Sequence, residues 1–140
     1  MRRRMVEARL RVIYGDTDQM GVVYYANYFR YFEFARGEFF RSKGGSYATV
    51  EREEGVFLPV VDAHCRYKAS AKYDDVLLIR VQVAQLKRAS MAFGYTVLRE
   101  SDRALLCTGE TVHACVGKDG RPVALPQSIV SVLGEVQPPA

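Results

Sequence analysis

Two acids separated by one residue, Asp16 and Asp18, lie in the run Tyr14-Gly15-Asp16-Thr17-Asp18-Gln19-Met20-Gly21-Val22-Val23-Tyr24-Tyr25-Ala26-Asn27-Tyr28. A strand-like apolar segment stops at this point. Acids and glycines then make a turn, and an aromatic-rich helical pattern begins. This order sets the Asp18 carboxylate beside the free backbone N–H groups of a helix start, where the macrodipole favours negative charge. A carboxylate next to such a nest is a minimal device for attacking a carbonyl. The acid acts as nucleophile or as general base on water, and an N–H takes the developing charge on the carbonyl oxygen. The plainer reading of either acid is a turn or N-cap residue, and Asp16 is assigned that role. Asn27 is a candidate for orienting Asp18 or a water, or for a solvent-facing position. Glu33 is a candidate for positioning a water, against a surface ion pair with Arg30 or Arg36.

Chemistry elsewhere is sparser. Lys87-Arg88-Ala89-Ser90 falls between two strand patterns. Two cations and a hydroxyl in a loop suit phosphate binding, or simply a solvated turn. His64-Cys65 and His113-Ala114-Cys115 match no structural zinc spacing, and strand alternation sends adjacent residues to opposite faces, so no metal site is expected. There is no Gly-x-Ser-x-Gly elbow and no glycine-rich phosphate cradle.

These residues must be positioned by a short series of elements. Residues 7–14 alternate as a strand, and 15–22 read as a turn. Residues 23–43 read as one long helix with Tyr24, Tyr28, Tyr31, Phe32, Ala35 and Phe39 forming its buried stripe. Gly37 costs such a helix about 1 kcal/mol relative to Ala and is read as permitting close packing on a sheet. Gly44-Gly45 ends the helix. A second helix is expected over 46–54, stopped by Gly55. Strand runs follow at 56–69, 75–87, 90–101 and 103–117, then a tight turn at Asp119-Gly120 and a last helix at 126–133. One helix against a run of antiparallel strands is an α+β arrangement. The sheet face away from the helix then needs cover, which dimerisation or stacking supplies.

The chain has 140 residues and 15.8 kDa, which suits one domain over 1–140. Its net charge of +4 suits a phosphorylated cofactor or a solvated basic surface better than nucleic acid, because no Lys/Arg-dense stripe interleaves with aromatics. Three cysteines without paired spacing argue against a disulfide scaffold. Cys65 and Cys107 sit in apolar strand runs and are expected as buried thiols. The basic start, Met1 to Met5, precedes a charge-alternating strand rather than an apolar signal region, and no run is long enough to cross a membrane. A cytoplasmic location is the expectation.

The run from Tyr14 to Arg36 resembles the signature of hot-dog-fold acyl-CoA thioesterases of the 4-hydroxybenzoyl-CoA thioesterase type, especially the YbgC-like branch. The stretch Tyr67-Lys68-Ala69-Ser70-Ala71-Lys72-Tyr73-Asp74-Asp75-Val76-Leu77 resembles that family's second landmark, a strand entry followed by a turn. The resemblance spans roughly residues 7–117. It implies a five- or six-stranded antiparallel sheet wrapped around the long helix, and a homodimer with composite active sites, often paired into a tetramer. It further implies hydrolysis of an acyl- or aroyl-CoA thioester, with no separate cofactor because coenzyme A is part of the substrate. By position it carries over Asp18 as the catalytic carboxylate and the Tyr25 backbone N–H as the carbonyl polariser. Lys87, Arg88 and Ser90 fall where the family contacts the nucleotide end of coenzyme A, with Lys118 and Arg121 as secondary candidates. The YbgC-like branch often carries His where Tyr25 stands, so the resemblance transfers a backbone donor there and not an imidazole. Neither nucleic acid nor membrane insertion is implied. Two other readings stay open: a thioesterase for acyl groups on acyl carrier protein, and a non-catalytic acyl-CoA binder. A hydratase reading is disfavoured, because His64 and His113 lie in strands far from the Asp18 run.

Overall fold

Alternation along most of the third strand sets the core. Leu77, Ile79, Val81 and Val83 have no solvent exposure, and Met91, Phe93, Tyr95 and Val97 of the next strand are almost as deeply buried. Period-two burial of this kind requires one sheet face to be fully covered, and the covering element is the long helix. The computed structural model describes residues 5–134. In chain order these form β1 (Met5–Arg11), a 3₁₀ turn (Tyr14–Asp16), α1 (Asn27–Ser42), α2 (Tyr47–Glu54), β2 (Val60–Tyr67), β3 (Val76–Leu86), β4 (Ser90–Arg99), β5 (Leu105–Ala114) and α3 (Gln127–Leu133). The five strands pair antiparallel in the order β1-β3-β4-β5-β2. This is the expected α+β architecture, an antiparallel sheet with α1 against its inner face.

The long helix starts later than the pattern suggested, at Asn27 rather than residue 23. Extended pairing persists to Val23, which bridges Thr17, while Val22 bridges Lys72. The Val23 N–H donates to Ala71 O at 2.8 Å and the Tyr24 N–H to Asp16 O at 2.9 Å. Backbone donors committed to strand-like partners cannot enter a helical ladder. Tyr24 therefore leaves the stripe and is 46% exposed, whereas Tyr28, Tyr31, Phe32, Ala35 and Phe39 are buried as the spacing required and Phe40 joins them.

Close approach of helix and sheet occurs at Gly109 of β5, not at Gly37. A Cβ on Gly109 would lie 2.5 Å from two ring atoms of Phe32 and 2.8 Å from the His64 carbonyl oxygen. A Cβ on Gly37 would meet only the mobile end of Arg41. Phe32 in turn stacks on Tyr95 at 4.2 Å between ring centroids.

The shorter elements end as their sequences dictate. The Ser46 side chain caps α2 by accepting from Thr49 N, and Gly55 closes it with φ of 67°, a left-handed cap that glycine adopts without strain. α3 buries Ile129 and Leu133, and the segment before it ties to the β3–β4 hairpin through Leu125 N–H and Arg88 O.

A chain of hydrogen bonds crosses the core. His113 Nδ1 lies 2.9 Å from the Leu58 carbonyl oxygen, His113 Nε2 2.8 Å from Thr111 Oγ1, Thr111 Oγ1 2.6 Å from the Tyr95 hydroxyl, and Arg36 donates to that hydroxyl at 3.2 Å. A carbonyl oxygen only accepts, so His113 carries its proton on Nδ1. Thr111 then donates to Nε2 and Tyr95 donates to Thr111. Burial holds the His113 imidazole neutral, lowering its pKa to about 4.

Cys107 and Cys115 are buried free thiols and Cys65 is half-buried. Among the described residues no group of three His, Cys, Asp or Glu side chains is arranged to hold a metal. None of the described helices is long and apolar enough to cross a membrane.

Candidate active site

The two acids of the Asp16-Thr17-Asp18 turn have opposite fates. Asp16 is 6% exposed. Its carboxylate accepts the Tyr31 hydroxyl at 2.9 Å and Arg30 at 3.0 Å, and its carbonyl oxygen accepts both the Tyr24 N–H and the Asn27 side-chain amide at 2.9 Å. Burial and the adjacent carboxylate push the Tyr31 phenol far above its ordinary pKa, so it remains a donor. Asp16 thus bolts the turn to α1, the structural role expected of it. Asn27 serves the same joint, its side-chain amide donating to Asp16 O and its oxygen accepting from Arg30 at 3.4 Å, and it makes no hydrogen bond to Asp18 among the described residues.

Asp18 is half-buried. One oxygen, Oδ1, accepts the Met20 N–H at 2.9 Å, an Asx turn that fixes the side chain. Its backbone is pinned by Asp18 N to Val22 O and by Gly21 N to Asp18 O, each 2.9 Å. Among the described residues the second carboxylate oxygen has no hydrogen-bond partner. Asp18 lines a cavity of about 330 Å³ together with Met20, Val22, Tyr25, Tyr28 and the segment Tyr67–Ser70.

The N–H groups at the start of α1 are unequally engaged. The Asn27, Tyr28 and Phe29 N–H groups close back on Tyr24, Tyr25 and Ala26 carbonyls. Among the described residues the N–H groups of Tyr25 and Ala26, in the turn just before α1, make no hydrogen bond. Tyr25 lines the Asp18 cavity, and its peptide sits at the positive end of the α1 macrodipole. The structure therefore brings together the two residues that the signature singled out, a carboxylate and a free backbone donor.

The second landmark builds the opposite wall. The Tyr67 hydroxyl donates to Tyr25 O at 2.9 Å. The Ala71 N–H reaches the Tyr28 hydroxyl at 3.4 Å. Arg99 holds the intervening loop by donating to Ser70 O at 2.7 Å while pairing with Asp75 and Asp102. Sequence reading assigned no role to Tyr67 or Arg99. Tyr67 opens the second landmark, but its partner lies 42 residues away, and only tertiary structure reveals such a contact.

The basic residues do not join this cluster within one chain. Lys87, Arg88 and Ser90 form the β3–β4 hairpin, closed by Lys87 N to Ser90 O at 2.8 Å. Asp18 neighbours the other end of β3, which spans 11 residues, so the hairpin lies roughly 30 Å away along the strand. The Lys118–Arg121 turn shares the hairpin's end of the sheet, since Cys115 N donates to Ala89 O. Glu33 lines a separate groove of about 780 Å³ beside Arg30 and Arg36. Among the described residues it makes no ion pair, because Arg30 pairs with Asp16 and Arg36 bonds Tyr95. His64 lies on β2 and His113 in the core, both away from Asp18.

Residues 12–133 match the model of the Thioesterase-like superfamily. The chain is 36% identical over 123 residues to an acyl-CoA thioesterase YbgC of Haemophilus influenzae, covering 86% of this chain and 88% of the relative. A hypothetical protein of Aquifex aeolicus superposes with a TM-score of 0.86 at 37% identity, covering 92% of this chain and 99% of that one. 4-Hydroxybenzoyl-CoA thioesterase from Pseudomonas sp. strain CBS-3 superposes at 0.84 with 25% identity, covering 94% and 99%. With this family match over residues 12–133 and these relatives, the chain belongs to the thioesterase-like superfamily, as a hot-dog-fold thioesterase of the YbgC-like branch.

Proposed function

We propose that this protein hydrolyses acyl- or aroyl-CoA thioesters to the free acid and coenzyme A, with Asp18 as the reacting carboxylate. The observation that carries the mechanism is the single cavity lined by Asp18, with one oxygen unengaged, and by Tyr25, whose N–H is unengaged. A thioester carbonyl placed between them meets a nucleophile or base on one side and an oxyanion donor on the other. In the nucleophilic course the carboxylate oxygen attacks, the C–S bond breaks and thiolate leaves. Water then opens the mixed anhydride. In the general-base course Asp18 takes a proton from the attacking water. A thiolate is a good leaving group, so neither course needs a strong general acid.

The working unit is a dimer formed along β2. This strand is a sheet edge with Val60, Val61 and Tyr67 exposed at 46%, 62% and 45%. Such an open apolar edge invites pairing with another strand. Antiparallel pairing of β2 with its copy sets the Val60 end of one subunit against the Tyr67 end of the other. Val60 lies opposite His113, and His113 opposite Met91, so the Lys87–Ser90 hairpin of the second subunit stands roughly 10–15 Å from the shared edge. Phosphates at the far end of the pantetheine arm then meet Lys87, Arg88 and Ser90 across the interface. YbgC proteins carry the name acyl-CoA thioesterase, which agrees with this substrate class.

The test is thiol release from short aliphatic, long aliphatic, phenylacetyl and hydroxybenzoyl CoA thioesters, and from an acyl carrier protein thioester, by wild type and Asp18→Asn at matched oligomeric state. Turnover of a CoA thioester that falls at least ~100-fold in kcat in Asp18→Asn is the expected result. Undiminished Asp18→Asn activity overturns the mechanism. Turnover of the carrier-protein substrate alone overturns the substrate class, and binding without turnover of any thioester overturns the enzymatic reading.

A further inference from the structure

Tyr25 is clamped from two directions. On its N-terminal side, Tyr24 N donates to Asp16 O and Asn27 N donates to Tyr24 O, both at 2.9 Å. On its C-terminal side, the strongest bond to its carbonyl oxygen comes from Tyr67, at 2.9 Å, while the helical contact from Tyr28 N is long, at 3.4 Å. The first pair of bonds fixes the peptide that presents the Tyr25 N–H. The second fixes the peptide that follows, and with it the rotation of the residue between them.

We infer that Tyr67 is a positioning residue for thioester hydrolysis, its hydroxyl locking the Tyr25 peptide so that the Tyr25 N–H meets the carbonyl oxygen of the substrate. This inference rests on the reading of Asp18 and Tyr25 given above. An oxyanion donor is effective only when its direction is set before the charge develops. A backbone N–H in a turn outside the helical ladder lacks the usual source of rigidity, so an added bond to the adjacent carbonyl has a large effect on its orientation. Hydrogen bonding at a peptide carbonyl also polarises that peptide, so the Ala26 N–H becomes a stronger donor beside the Tyr25 one. The phenol is suited to the task because an ordinary phenol keeps its proton throughout the neutral range, so it is a donor there. Its ring is independently anchored, edge-on to Tyr25 at 6.1 Å and to Tyr28 at 5.5 Å between centroids. Removal of the hydroxyl alone therefore leaves the packing in place.

The deciding experiment compares wild type, Tyr67→Phe, Tyr67→Leu and Asp18→Asn on one acyl-CoA substrate. Tyr67→Phe is expected to lose about 10- to 100-fold in kcat while KM stays within about twofold and Tm and oligomeric state are unchanged. In the ligand-free protein its Ala26 amide proton resonance is expected upfield of wild type, reporting the lost bond to the preceding carbonyl. Tyr67→Leu, which also removes the ring, is expected to lose stability as well. If Tyr67→Phe keeps full kcat while Asp18→Asn is inactive, the positioning role is wrong and the Asp18 mechanism stands. Equal activity of Asp18→Asn and wild type removes the parent reading instead. A fall in Tm or a rise in KM that accounts for the whole rate loss in Tyr67→Phe, or an unmoved Ala26 amide, also overturns the role.

Discussion

The Tyr31 hydroxyl donates to the Asp16 carboxylate at 2.9 Å in a site that is 6% exposed at the acid and 2% at the tyrosine. Two residues further on, Asp18 binds only one backbone N–H and faces a cavity. One carboxylate is consumed by the fold and the other is left for chemistry. Asp16→Ala strands a buried phenol and unpairs Arg30. Because Arg30 is largely solvated, the ion pair itself adds little, and the unsatisfied phenol sets the cost at about 2–3 kcal/mol. Asp18→Asn is expected within about 0.5 kcal/mol of wild type. Urea unfolding of the two variants side by side measures this contrast.

Gly109→Ala tests the helix–sheet contact. The added methyl would stand 2.5 Å from Phe32 and 2.8 Å from the His64 carbonyl, and Phe32 is itself stacked on Tyr95. Overpacking against a backbone oxygen is relieved only by moving β2 away from β5, with an expected loss of about 2–3 kcal/mol. Denaturation midpoints report it, and an unchanged midpoint refutes the close contact.

The pH dependence of stability follows from His113. Its folded-state pKa, about 4, lies below the ordinary imidazole value of 6.5. Between those values the unfolded chain takes up a proton that the native state refuses, so stability falls as pH drops from about 6.5 to about 4 and loses no more from this group below that. At about 1.4 kcal/mol per unit the loss is roughly 3 kcal/mol. Chemical denaturation across pH 4–7 measures it. Imidazole NMR of the native protein is expected to show the Nδ1–H tautomer without titration above pH 5.

Removing the charge at the β3–β4 hairpin tests the route proposed for the cofactor portion of the substrate. Lys87→Ala/Arg88→Ala is expected to raise KM for acyl-CoA at least ~10-fold with kcat within about twofold. The same acyl group on pantetheine, which lacks the nucleotide phosphates, should show no change. A KM shift shared by both substrates would place the hairpin's effect elsewhere.

The β2 edge supplies the last prediction. Val61→Glu puts a charge on its most exposed apolar residue, 62% accessible, without touching the Asp18 cavity. Sedimentation is expected to show dissociation toward monomer with loss of acyl-CoA turnover. A dimeric, active Val61→Glu protein would refute pairing along this edge.

Local pattern alone determined a good deal here. Burial at period two in β3 and β4, the Tyr28–Phe39 stripe, the Ser46 cap and the Gly55 stop are set by neighbours a few residues apart, so they are legible without coordinates. Asp18 was legible as a carboxylate in a turn beside a helix start, and Tyr25 through the resemblance of its run to the thioesterase signature. Helix onset at Asn27 was not, since it depends on Ala71 and Lys72 capturing Val22 and Val23 from nearly fifty residues away. Nor was the place of close packing. Gly37 and Gly109 look alike as glycines in regular elements, and only the descent of Phe32 onto β5 distinguishes them. The Tyr67 clamp, the Arg99 tether and the separation of Lys87 from Asp18 belong to the same class. Each is a distance between segments remote in the chain, fixed by strand order and register. Residue types and local spacing thus determined which groups carry the chemistry, and the tertiary structure decided which of them meet, because long-range pairing sets the through-space distances that local periodicity leaves free.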